Sequence, residues 1–338
     1  MSEGAVRSRR SADGPGPGDE PGETVVVGAG AVAEAVRSGL GARGTTTRPG
    51  SDGTWTDAVR RLVLVVPAGE FGPPAPDPDD VRRVVAAAVA HGAEHVVLVT
   101  SAAVHGAAPG RLVDDDDPVD PAASGLAADL ATAEEAARGA CGPVPFAVVR
   151  PAVLVGPGVD TVLTRHFEAP RLLTVRGGDR TWQLLHVEDL VAAVRVVLEQ
   201  RLEGALTAGA LRGGAPDTLD SETVAAVAGL RTVSLPAHTA FGVAERLHRV
   251  GVLPSPASDL ALVVYPWTVT ARRLHDAGWS PAWSSAAALE VLVDQVRGRV
   301  GVGGRRFGGR DAAALGAAGA AVAVVATAAV WRQARPRR

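Results

Sequence analysis

The chain of 338 residues contains no lysine: all 34 of its basic side chains are arginine. Any mechanism that needs a lysine is therefore excluded, and arginine does not substitute for one. Tyrosine is nearly as scarce, with Tyr265 alone. One cysteine, Cys141, excludes an intramolecular disulfide. The eight histidines are scattered, and no His/Cys spacing resembles a metal site. No basic patch accompanies the net charge of -3, which argues against a nucleic-acid partner. Residues 1–22 are Gly, Pro, Ser and charge, without the apolar run of a signal peptide. They are expected to form a disordered tail, with the folded part in the cytoplasm.

What is present is a large apolar fraction, 46%, enough for a substantial core. Its most telling stretch is Val96 to Gly106, VVLVTSAAVHG. A short Val-rich run ended by small polar residues predicts a strand buried on both faces. Ligands of open parallel sheets bind beyond the carboxyl ends of the strands, so Ser101 is placed at a ligand crevice.

A second such run, Thr24 to Val27, leads into Gly28-Ala29-Gly30-Ala31-Val32-Ala33 and then a helical run through Leu40. Strand, G-x-G-x-x-A turn and helix together predict dinucleotide binding. Gly28 permits the tight turn, Gly30 lets the backbone approach a pyrophosphate, and Ala33 keeps helix and strand close. The expected cofactor contacts are Gly28, Ala29, Gly30 and Val32, with Pro67 and Ala68 at the end of the strand Leu62 to Val66. No acidic residue stands where one would hold a ribose 2′-hydroxyl. Arg48 lies there instead and suits a 2′-phosphate, so the cofactor expected is NAD or NADP, with Arg48 favouring NADP. Little room remains between Arg48 and Leu62 for a full strand and helix.

Further along, Asp79 and Asp80 favour the start of a helix over Val81 to His91. Asp114 to Asp117 reads as a solvated acidic loop. Ser124 to Arg138 is a predicted helix, Phe146 to Val149 a strand, Gln183 to His186 a short strand, and a helix follows to about Gln200. Asp189 is expected to cap that helix, with His186 packed beneath it. The alternation predicts an α/β fold: a Rossmann-like, doubly wound parallel sheet over 23–203 with a smaller C-terminal lobe over 204–300. In the tail, 301–338, the uncharged stretch Ala312 to Val330 is flanked by arginines and is long enough for a C-terminal transmembrane anchor.

The landmarks GAGAVA at 28, VVLVTSAAVHG at 96, RPAVLVGPG at 150, LLHVEDLVAAV at 184 and YPWTVTARRLHDAGWSP at 265 together resemble the extended short-chain dehydrogenase/reductases, the NAD-dependent epimerase/dehydratase family. The resemblance spans roughly Thr24 to Val296. It implies hydride transfer with NAD(P), a nucleotide-sugar-like ligand, and a catalytic Ser/Thr, Tyr and Lys, the lysine lowering the tyrosine's pKa. Ser101 matches the Ser/Thr. With Glu134 as anchor, the Tyr and Lys positions fall on Leu126 and Leu130, and a one-residue slip gives Ala127 and Ala131. Val153 and Val155 likewise replace polar pocket residues. Ser101 is thus the remnant of a catalytic set, and a pseudoenzyme that binds or regulates is expected. An active oxidoreductase or epimerase using Ser101 and His105 is the alternative, and a structural remnant without cofactor the third.

Overall fold

The computed structural model describes residues 24–45, 59–71, 73–169, 171–251, 253, 255–297, 300–302 and 305–307. Arg48, the tail at 1–22 and the segment 312–330 lie outside them. Among the described residues no helix is long and apolar enough to cross a membrane.

The Val-rich runs form the expected strands. In chain order the elements that frame the crevice are β1 (Thr24–Val27), α1 (Ala31–Leu40), β2 (Arg43–Thr45), β3 (Arg61–Val65), α2 (Pro78–Ala90), β4 (His95–Val99), α3 (Leu126–Cys141), β5 (Phe146–Pro151), α4 (Val187–Glu199) and β6 (Gly204–Ala208). The six strands make one sheet in the order β6-β5-β4-β3-β1-β2, and every pairing in it is parallel. The outer strand β6 begins just past the boundary expected at residue 203.

Period-two alternation divides each strand between two cores. Leu62, Leu64, Val96, Leu98 and Val148 face Val81, Val84 and Val85 of α2 and Leu130, Ala133 and Ala137 of α3. Val63, Val65, Val97, Val99 and Val149 face Val32 and Val36 of α1 and Leu190, Val194 and Val197 of α4. Helices on both faces explain why the strands read as unbroken apolar runs rather than alternating ones.

Some boundaries differ from expectation. Helix α2 starts before Val81 because Asp77 caps it, accepting from the Asp79 N–H at 3.0 Å, with Pro78 at the first helical position. Helix α3 starts at Leu126, behind Gly125. Asp189 does not cap α4. His186 does so, its Nδ1 accepting from the Glu188 N–H at 3.4 Å. The Asp189 carboxylate instead accepts from the Ala282 and Trp283 N–H groups at 2.7 and 3.1 Å. It thereby fastens the C-terminal segment to the sheet, with Trp283 stacked on His186 at 4.1 Å.

The acidic loop is not wholly solvated either. Asp115 is 1% exposed. Its carboxylate accepts from the Thr207 N–H, the Thr207 hydroxyl at 2.8 Å and the Arg273 N–H at 2.9 Å. The run supplies Asp115 to the interior where donors converge, Asp114 and Asp117 are half-buried and accept from neighbouring donors, and Asp116 is exposed. Removing that acceptor orphans buried donors. Asp115→Ala is expected to lower unfolding free energy by about 2–4 kcal/mol, the order for a charged acceptor serving several donors, measured by urea denaturation.

Candidate functional site

The chain leaves β1 toward β2 on one side and returns to β3 on the other. Beyond Val27 and Val65 the two directions diverge, and this is the crevice where parallel sheets take ligands. The glycine turn sits at its mouth. Gly28 has φ +155°, and a Cβ there would stand 2.6 Å from the Val65 carbonyl oxygen and 2.9 Å from the Ala33 Cβ. No other residue fits. Gly30, with φ +94°, precedes α1 and lies against the Glu70 carboxylate. Val32 and Ala33 are buried beneath the turn.

Two cavities flank this point. One, of about 330 Å³, lies beyond the ends of β1 and β3, between Gly28, Ala29, Val66 and Pro67 on one side and the Pro73–Pro76 strap and Asp80 on the other. The second, of about 300 Å³, lies toward the lobe, bounded by Ala68, Glu70, Leu126, Asp129, Pro256 and Asp259. Its charged side chains are all acidic. Burial pushes the Glu70 and Asp259 carboxyls upward. Asp259 accepts from the Leu126 N–H at 3.1 Å, closing the start of α3.

Ser101 reaches the crevice between these cavities, beside Glu70, Val153 and Trp267, where only about 30 Å³ is open. It is 7% exposed, and its Oγ accepts from the Ala103 N–H at 3.2 Å, capping the short turn Ala102–His105. Leu126 meets Gly69 at the cavity wall, while Leu130 is fully buried in the α2/α3 core. The structure thus brings Gly28, Ala29, Gly30, Val32, Pro67, Ala68 and Ser101 to one crevice.

His105 has no nitrogen to spare. Its Nδ1 lies 3.0 Å from the Pro118 carbonyl and its Nε2 3.1 Å from Arg150 Nη1. Burial first, and then Arg150, hold its pKa below the usual histidine range. A carbonyl at Nδ1 and a guanidinium N–H at Nε2 together require Nδ1–H to donate and Nε2 to accept, which is the neutral ring. Behind it, Arg150 pairs with Glu134 through Nε–Oε1 at 3.1 Å and Nη2–Oε2 at 2.6 Å, both side chains 6% exposed. The Thr100 hydroxyl donates to the same Glu134 at 2.7 Å. This network and Glu70 are the site's unforeseen members. The Arg150 network was signalled by Arg-Pro after a buried strand and Glu in an Ala-rich helix. Glu70 carried no local signal, since its partners come from distant segments.

Residues 79–207 match the model of the NAD dependent epimerase/dehydratase family. Among curated proteins, the uncharacterized protein Rv2047c of Mycobacterium tuberculosis is 30% identical over 172 residues, 49% of this chain and 18% of its own length. Uncharacterized protein Rv0501 of the same species is 29% identical over 156 residues, 45% of this chain and 39% of its own length. The chain thus spans less than half the length of these curated relatives. Two solved structures share the fold. MoeE5 in complex with UDP-glucuronic acid and NAD is 16% identical with a TM-score of 0.59, over 81% of this chain and 99% of that one. Human epimerase family protein SDR39U1 with NADPH is 16% identical with a TM-score of 0.56, over 80% and 99%.

Two outcomes test this geometry. Glu134→Ala leaves Arg150 buried without its counter-ion, and unfolding free energy is expected to fall by about 3–5 kcal/mol, read by urea denaturation. A drop below about 1 kcal/mol would show that the pair is not held as described. The second concerns acid. His95, His105, His166 and His186 all have pKa values lowered by burial, His166 to about 4. A histidine held neutral stabilises fully above its unfolded pKa of about 6.5 and loses that contribution as pH falls toward the folded value. Stability should therefore decline as pH falls below about 6.5, by up to roughly 1.4 kcal/mol per pH unit for each histidine still neutral in the folded state, which for His166 extends to about pH 4. The raised carboxyls Glu70, Asp189 and Asp259 have the opposite sign and offset part of it near the lower end. Denaturation curves at pH 7 and pH 5 decide the direction.

Proposed function

We propose, from the premise that the chain belongs to the NAD-dependent epimerase/dehydratase family, that it binds NAD(P) at the glycine turn and acts as a binding or regulatory module rather than as a hydride-transfer catalyst. One observation carries this. A glycine turn whose Gly28 admits no side chain stands at the sheet's switch point beside an open cavity of about 330 Å³, while the expected catalytic positions hold Leu126 and the core residue Leu130. The first half of that statement supports a dinucleotide. The second removes the proton-transfer pair. The bound coenzyme would supply a hydride donor or acceptor. The chain's own groups nearby are the Ser101 hydroxyl and the Glu70, Asp129 and Asp259 carboxyls, none of them at the expected Tyr and Lys positions. Gly28, Ala29, Pro67 and Ala68 would line the coenzyme, and Arg48 would take a 2′-phosphate if NADP is preferred.

The Ser101 hydroxyl orders the turn Ala102–His105 and is a hydrogen-bonding group, not a base. His105 lacks a free nitrogen, which weighs against the active-enzyme alternative. A nucleotide-sugar-like ligand would enter the lobe-side cavity, where its diphosphate would meet Glu70, Asp129 and Asp259 and no base. That lining favours a neutral or weakly charged ligand there. The chain would meet a membrane only through the 312–330 segment, as a cytoplasmic protein tethered by its C-terminus.

The test is titration of NADH and NADPH into the full chain, followed by coenzyme fluorescence and melting temperature. Saturable binding with a rise in melting temperature is expected, without turnover of coenzyme when nucleotide sugars are added. No binding of either at millimolar concentration overturns the proposal, and steady turnover overturns its non-catalytic half.

A further inference from the structure

At Gly30 the backbone opens onto a carboxylate of the chain itself. A Cβ on Gly30 would lie 3.2 Å from both Glu70 oxygens. The Val32 N–H, in the first turn of α1, favours the ionised form of the Glu70 carboxylate. A diphosphate held by a glycine turn and a helix N-terminus would occupy this same position.

Glu70 is brought there by a clasp between two loops. Glu70 and Thr161 form an isolated antiparallel bridge. Next to it the Phe71 N–H donates to the Asp160 carbonyl at 2.8 Å. Arg165 holds the Asp160 carboxylate through Nε and Nη2 at 2.8 and 2.9 Å and lies over the Phe71 ring, 3.4 Å from its centroid. On the same loop, a Cβ at Gly158 would stand 3.2 Å from the Ala31 Cβ at the start of α1. The strand-end loop 67–71 and the loop 156–161 therefore close over the turn, with a carboxylate innermost.

A helix N-terminus stabilises one anion, and a second anion at the same N–H groups meets both repulsion and lost hydrogen bonds. We infer that Glu70 is the specificity-determining residue of the glycine turn: its carboxylate competes with a ligand diphosphate for the start of α1, and the diphosphate enters only when Glu70 is withdrawn from the clasp. This deepens the NAD(P) reading and rests on it.

The electrostatic surroundings are consistent with such a competitor. Burial pushes the Glu70 carboxyl up, the Val32 N–H opposes that, and Asp160 adds to it. Arg165 is turned to Asp160 and Phe71, Arg37 on α1 is paired with Glu34, and Asp129 and Asp259 face Glu70 across the lobe-side cavity. Protonating Glu70 removes its charge. Affinity for a diphosphate should accordingly rise as pH falls toward the raised carboxyl range, and fall again as Glu70 ionises.

The experiment is calorimetric titration of NAD, and of inorganic pyrophosphate as a probe of the turn alone, into the full chain as wild type, Glu70→Gln and Glu70→Ala. Glu70→Gln removes the charge and keeps the shape; Glu70→Ala removes both. NAD should bind about tenfold more tightly to Glu70→Ala, the order expected from releasing one anion from a helix terminus, with an intermediate gain for Glu70→Gln. Pyrophosphate should bind the variants better than the wild type. Wild-type NAD affinity should improve as pH is lowered toward the raised carboxyl range, and that improvement should be absent from Glu70→Gln. Equal NAD affinity in all three proteins overturns this inference and leaves the NAD(P) reading standing. Weaker binding by both variants also overturns it, making Glu70 a ligand contact. No binding by any of the three overturns both.

Discussion

The guanidinium of Arg150, buried with the Glu134 carboxylate, ties together the edge of the crevice. Taking either charge out of water alone would be prohibitive, so each requires the other. In meeting that requirement the pair fixes four segments at once. Glu134 belongs to α3 and Arg150 to β5, Thr100 ends β4, and His105 closes the turn that carries Ser101. Arg180 shows the contrast. It is also buried, yet among the described residues its Nε and Nη2 have no hydrogen-bond partner, and burial drops its pKa to about 9. A fully paired ion organises its neighbours, whereas a half-paired one is only packed among them.

The sheet was legible in the sequence because strands covered on both faces leave a signal that water-facing strands do not. Val-rich runs bounded by small residues could hardly be anything else, and Gly28 was legible because a backbone carbonyl sits where its side chain would be. The misses share one cause. Asp115 looks like a solvated charge and Asp189 like a local helix cap, and each is drawn inward by N–H groups that arrive from far along the chain; Glu70 is brought to the turn by a bridge to Thr161. Periodicity reports which face an element buries. It does not report which loop will later bring a donor to meet an acid.

The glycine turn and the switch point open onto a crevice lined by apolar, hydroxyl and acidic side chains. A hydroxyl at Ser101 remains, spent on ordering its own backbone. Such a site can still recognise shape and hydrogen-bonding pattern.

Asp259 carries a mechanical consequence. It comes from the lobe, yet it completes the first turn of α3 in the sheet domain by accepting from the Leu126 N–H. Any swing of the lobe away from the sheet would uncap that helix, and any fraying of the helix would loosen the lobe. Opening of the cavity and unwinding of the α3 start are thereby one coordinate rather than two, so a molecule wedged between lobe and sheet would be sensed along that helix.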